Sequence, residues 1–174
     1  ALIRELGPET VAAYVAEPVL GASAGAVVPP DDYWPRVREV CDAHGVLLIA
    51  DEVMTGFGRC GERFALDHWG VRPDILVSGK GLGGGYAPIV ATVATDDVVR
   101  PLVDTGRDFM FHTFGGLPGA CAAARVVLDI MEREGLVDAA RKRGDYLARG
   151  LADRFRDHPH VAETRGLGLL QGIE

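Results

Sequence analysis

Lysine is nearly absent from this sequence. Of eighteen basic residues only Lys80 and Lys142 are lysines. Base-composition bias in the genome explains an arginine excess, but the scarcity still marks each lysine. Lys142 lies in Arg141-Lys142-Arg143, within a charged helical stretch, and reads as solvated surface. Lys80 lies among glycines and does not. Positive charge is scarce as a whole: 174 residues carry a net charge of −7. That excludes the basic face of a nucleic-acid binder. No apolar run approaches twenty residues, so no membrane span is expected. No signal-peptide pattern opens the chain. The three cysteines, Cys41, Cys60 and Cys121, are far apart and form no CxxC pair. A disulfide framework or zinc ribbon is therefore not expected, and a reducing cytoplasm is. The five histidines show no metal-ligand spacing. An initiator Met is also missing, so an N-terminus that has been cut or processed is expected.

What is present alternates between strand and helix patterns. Tyr14–Val19 reads as a short strand ending at a glycine-rich turn, Gly21–Gly25. Asp31 or Asp32 caps a helix that runs to about His44, and Gly45 stops it. Val46–Ala50 is a continuous apolar run of strand length, expected to be buried on both faces. A glycine-rich loop follows at Thr55–Gly61, then a short helix at Glu62–Trp69. Ile75–Ser78 and Pro88–Thr95 read as strands. Helices are predicted at Asp96–Val103, Pro118–Glu134 and Leu136–Asp157, and a last strand from about Gly168. This alternation predicts an α/β layer architecture. A chain that stops on an apparent strand is expected to be a piece of a longer one.

Three polar residues follow strands: Glu17, Asp51 and Lys80. If those strands are neighbours in one sheet, all three converge on its carboxyl edge, where α/β folds gather ligands. A deprotonated lysine forms a Schiff base with an aldehyde. An aspartate holds a proton on a pyridine nitrogen, and the cationic ring then withdraws electrons from a neighbouring carbanion. Taken alone, Asp51 also reads as a cap or turn residue, Lys80 as a phosphate or surface contact, and Glu17 before Pro18 as a strand terminator. Two rival motifs match in part. Val46–Glu52 (VLLIADE) has the form of a Walker B strand, which would make Asp51 a magnesium ligand. The companion GxxxxGK[ST] fails at Lys80, because Asp74 stands at its first glycine and Gly81 follows the lysine. Gly79–Gly84 satisfies G-x-G-x-x-G, yet Pro88 and another strand follow where a helix belongs. These glycines read instead as backbone that folds closely around the Lys80 side chain.

At Asp51 the sequence resembles a known family. Glu17-Pro18-Val19, then Asp51 through Arg59 (DEVMTGFGR), Pro73 through Leu76, Gly79 through Tyr86 (GKGLGGGY), His112 through Gly116 and Ala120 through Ala124 are similar to class III aminotransferases. They follow the family's order and spacing over essentially the whole chain. The resemblance implies a three-layer sheet of the pyridoxal-phosphate (PLP) transferase large domain. That domain would occupy residues 1–134, and residues 135–174 would supply a helix and the start of an incomplete small α+β C-terminal domain. It implies a transaminase that moves an amino group from an amine or ω-amino acid to a keto acid, with pyridoxal 5'-phosphate as cofactor. Other reactions of the same chemistry stay open: aminomutase, racemase or decarboxylase. Lys80 then resembles the Schiff-base lysine that also moves protons between the substrate α-carbon and the cofactor. Asp51 resembles the acid paired with the ring nitrogen, and Val53 the residue packed on the ring face. Glu17 resembles a residue beside the ring. Thr113 resembles the residue that reaches the partner's cofactor phosphate across a homodimer. Arg59 is expected to be structural. The family's chain is much longer, so this segment alone is expected to be inactive.

Some positions depart from the common pattern. Met54 stands where Gln is frequent and Cys60 where Thr is usual. Gly116 and Leu117 replace a small-polar pair. After Glu17-Pro18 the chain runs Val19-Leu20-Gly21-Ala22, where members using 2-oxoglutarate often place a glutamate in the position of Ala22. This resembles members that exchange amino groups between an amine or ω-amino acid and pyruvate.

Overall fold

A computed structural model describes residues 1–106 and 112–174. A short helix, α1 (Leu2–Leu6), precedes strand β1 (Ala13–Ala16), helix α2 (Tyr33–His44), strand β2 (Leu47–Asp51), strand β3 (Ile75–Ser78) and strand β4 (Ala91–Ala94). Helices α3 (Asp96–Val103), α4 (Pro118–Arg133) and α5 (Leu136–Phe155) follow, and a hairpin of β5 (Thr164–Leu167) and β6 (Leu170–Ile173) closes the chain. The main sheet has the order β1-β2-β3-β4, with β1, β2 and β3 parallel and β4 antiparallel. It is a mixed sheet with flanking helices.

The core lies on one face of β2. Leu48 and Ala50 are fully buried there, against Trp34 and Cys41 of α2 and against Leu66 and Val71. The alternate residues Leu47, Ile49 and Asp51 are only half-buried. The VLLIA run is therefore covered unequally, where its sequence predicts burial on both faces. Asp74 ties the helix to the sheet. Its Oδ2 accepts the Leu48 N–H at 2.7 Å and the Arg38 guanidinium at 2.8 Å. That accounts for an acid directly ahead of β3 without giving it a chemical role.

Several element ends differ from expectation. β1 stops at Ala16, and the Pro18 carbonyl turns aside to accept the Trp34 indole N–H at 3.1 Å. The helix expected at Glu62–Trp69 is a 3₁₀ turn over Ala65–Trp69. Asp32 occupies the N-cap of α2 without a side-chain capping bond, and pairs instead with Arg36 at 3.1 Å. Gly45 ends α2 in a left-handed conformation as expected. The last strand is one arm of a hairpin, because the backbone reverses at Gly168-Leu169.

Candidate active site

The parallel register brings the three strand-end residues to one edge. Ala16 pairs with Ala50, and Asp51 with Val77. Glu17 is thus the next residue along β1 beside Asp51, and Lys80 follows β3 two residues after Ser78. Neighbouring strands lie about 4.8 Å apart, so the three side chains start from adjacent backbones. Asp51 Oδ1 accepts the Val53 N–H at 3.0 Å. Among the described residues its Oδ2 makes no hydrogen bond. Lys80 is exposed and makes no ion pair among the described residues.

The backbone at Lys80 is strained. Its φ is 41°, in the left-handed region that non-glycine residues adopt at a cost. Gly79 ahead of it lies against Val53 and Ile89. A Cβ on Gly79 would sit 3.7 Å from the Val53 side chain and 3.4 Å from the Ile89 carbonyl. Val53 therefore stands beside the base of the Lys80 turn.

Glu17 faces the turn that follows β1. Its Oε2 accepts the Gly21 N–H at 3.1 Å. The Met54 thioether occupies the space a side chain on Gly21 would need. Thr113 lies apart from this group, on an exposed stretch leading into α4, and bonds to none of these residues. Arg59 donates to the Met54 carbonyl at 2.8 Å, inside the loop after β2.

Two residues that matter to the edge do not stand out in the sequence. Glu52 continues the buried alternation of Leu48 and Ala50 and is 0% exposed. Its carboxylate accepts the Thr55 hydroxyl and the backbone N–H groups of Ala65 and Leu66, each of the latter at 3.0 Å. Burial pushes its carboxyl pKa up, and those three donors pull it back down. The period-2 pattern alone puts this acid on the covered face, where it has to find donors. Nearby, burial first and the Glu52 charge second raise the Cys60 thiol to about 12. Arg165 is the other; besides Glu163 and Glu174 it bonds to backbone carbonyls some 140 residues away in sequence, and no local pattern signals those.

The residues fit pyridoxal phosphate. Lys80 on a glycine turn with no ion pair, an aspartate with one unbonded oxygen, and Val53, bonded through its N–H to Asp51 and lying beside Gly79, are groups of the kinds that would hold an aldehyde, a ring nitrogen and a ring face. No group of three or more His, Cys, Asp or Glu suited to a metal occurs among the described residues. Among them, too, no helix is long and apolar enough to cross a membrane.

Comparison with known proteins gives the family and the fold. The profile of the family described as "Aminotransferase class-III" matches residues 1–174. The putrescine aminotransferase of Pectobacterium atrosepticum is 46% identical over 168 residues, 95% of this chain and 35% of that protein. The taurine–pyruvate aminotransferase of Bilophila wadsworthia is 42% identical over 178 residues, 99% of this chain and 39% of that protein. The crystal structure of an (S)-enantioselective omega-transaminase from Thermomicrobium roseum superposes with a TM-score of 0.95 at 44% identity. It covers 99% of this chain and 38% of that one. The chain thus spans about two-fifths of the length of the relatives it matches.

Proposed function

Because the chain belongs to the class III aminotransferase family, we propose that the whole enzyme moves an amino group from an amine or ω-amino acid to a keto acid, pyruvate above all. The observation that carries this reading is the placement of an exposed Lys80 with no ion pair and the open Asp51 carboxylate on the same sheet edge. Pyridoxal 5'-phosphate, when bound, supplies an aldehyde and an electron-withdrawing ring. Lys80 Nζ is the group that would bind the aldehyde and the base that would take the proton from the donor's α-carbon. Asp51 would hold the proton on the ring nitrogen, and the Val53 N–H on Oδ1 fixes the carboxylate's orientation. Val53 packs on the ring face, and Glu17 supports the surroundings of Asp51. Ala22 supports the choice of donor and acceptor, since no acid stands there to pair with an arginine that would hold a second carboxylate. The two curated relatives are named for the amines putrescine and taurine, and one of them also for pyruvate.

A homodimer in the cytoplasm belongs to this proposal. Thr113 reaches the partner's cofactor phosphate, and the exposed Phe114 and Tyr86 supply apolar surface for the contact. Three free cysteines, two of them buried, suit a reducing compartment. Residues 1–134 belong to the large domain, and residues 135–174 lead into the small one.

The test uses the full-length enzyme. Its visible spectrum is recorded, the protein is reduced with borohydride, and the modified lysine is mapped by mass. The expected result is a band near ~410–430 nm that collapses on reduction, with the tag on Lys80. Lys80→Ala should lose band, tag and turnover together. A Lys80→Ala enzyme that still transaminates would overturn the assignment.

A further inference from the structure

The C-terminal hairpin touches two of the loops that leave the candidate site, those after β1 and β2. On one side the Arg165 guanidinium donates to the Ala24 carbonyl at 2.8 Å and the Gly25 carbonyl at 3.0 Å. Gly172 packs so closely on Gly25 that a Cβ there would overlap the Gly25 carbonyl. On the other side the Leu169 N–H donates to the Arg59 carbonyl at 2.8 Å. Glu163 and Glu174 pair with the same guanidinium and orient its fork.

The 21–26 turn is therefore held at both ends. At the site, Glu17 holds the Gly21 N–H and Met54 fills the space above Gly21. Three and four residues on, Arg165 grips two successive carbonyls. Ala22 and Ser23 lie exposed between these anchors. A planar, charged fork can hold two neighbouring carbonyls at fixed spacing, which a lysine point charge cannot.

We infer that Arg165 is a positioning residue for the amino donor: by clamping the Ala24 and Gly25 carbonyls it fixes the 21–26 turn as one wall of the Lys80–Asp51 edge, so that donor size is read against Ala22 and Ser23. This rests on the transaminase reading above.

The experiment compares full-length wild type, R165K and R165Q in two ways. Amide hydrogen exchange of segment 21–26 needs no substrate. It should be about tenfold faster in R165Q, with R165K in between. Steady-state kinetics with a series of amines of increasing size should show KM for the smallest donor rising roughly threefold to tenfold. The kcat should stay within about twofold, and the preference for small over bulky donors should narrow. Unchanged exchange at 21–26, or KM and kcat shifting by one factor for every donor, would overturn the inference. If R165Q does not fold, R165K carries the same comparison. Loss of the borohydride tag at Lys80 in wild type would sink the cofactor reading instead. The exchange data on the same proteins would still decide whether Arg165 clamps the turn.

Discussion

Asp51 and Glu52 are consecutive acids with opposite fates, because successive side chains of a strand point to opposite faces. Asp51 falls on the half-buried face and keeps one oxygen free. Glu52 falls on the covered face and is saturated by Thr55, Ala65 and Leu66. By holding the chain on either side of Val53, Glu52 steadies the N–H that orients Asp51. Its burial has a pH consequence. The folded chain holds the Glu52 proton more tightly than the unfolded chain does. The stability this gives is complete below the unfolded pKa, about 4.3. It is lost as pH rises from there through the raised folded value. Glu52→Gln is neutral throughout, and its mismatched amide imposes an offset that does not vary with pH. The thermal-midpoint advantage of wild type over E52Q should therefore shrink as pH climbs through that window. An advantage that grew with pH would mean that the three donors outweigh burial and that the folded pKa is depressed.

The hairpin and α5 meet through glycine. A Cβ on Gly144 would overlap the Gly168 backbone, and a Cβ on Gly168 would overlap the Cys60 backbone. Gly168 also sits at φ 57°, so both space and conformation oppose any other residue. Gly168→Ala in the full-length enzyme should lower Tm by about 5 °C or more, since backbone cannot yield as a flexible side chain can. Gly150, also in α5, faces open space: nothing lies within 4 Å of where an alanine methyl would sit. Gly150→Ala should leave Tm unchanged or raise it slightly, through helix propensity of about 0.5–1 kcal/mol. Equal stability of G168A and wild type in the same melt would show that the hairpin turn is free to move.

This element also shows how much of the fold is legible in sequence. Apolar runs and glycine stops locate β2, β3 and α2 to within a residue or two, because those signals are local. Glu17, Asp51 and Lys80 reach one edge because each directly follows a strand, and strand order is the only missing premise. The hairpin reads as a single strand in sequence, since its reversal at Gly168 depends on packing against Cys60 and Gly144. Arg165 is invisible for the same reason: its carbonyl partners come from the other end of the chain.

At the scale of the whole molecule, large apolar side chains remain uncovered. Tyr86 is 86% exposed, Phe114 80%, Val90 69% and Val15 60%. β1 and β4 are the outer strands of the sheet, and their free edges are templates for further pairing. Scattered exposed apolar residues are ordinary. Here they coincide with open strand edges and with the stretch leading into α4, in a chain that spans about two-fifths of its relatives' length. On the dimeric reading proposed above, the rest of a full-length enzyme and a partner subunit would cover such surface. Residues 1–174 produced alone should therefore bind an apolar dye such as anilinonaphthalene sulfonate strongly and self-associate in light scattering. The full-length enzyme should bind little dye and run at the mass of two chains. A segment that stays monomeric and dark with the dye would mean that its exposed face needs no cover. A full-length enzyme at the mass of one chain would remove the route by which Thr113 reaches a partner's cofactor, and with it the dimeric part of the proposed function.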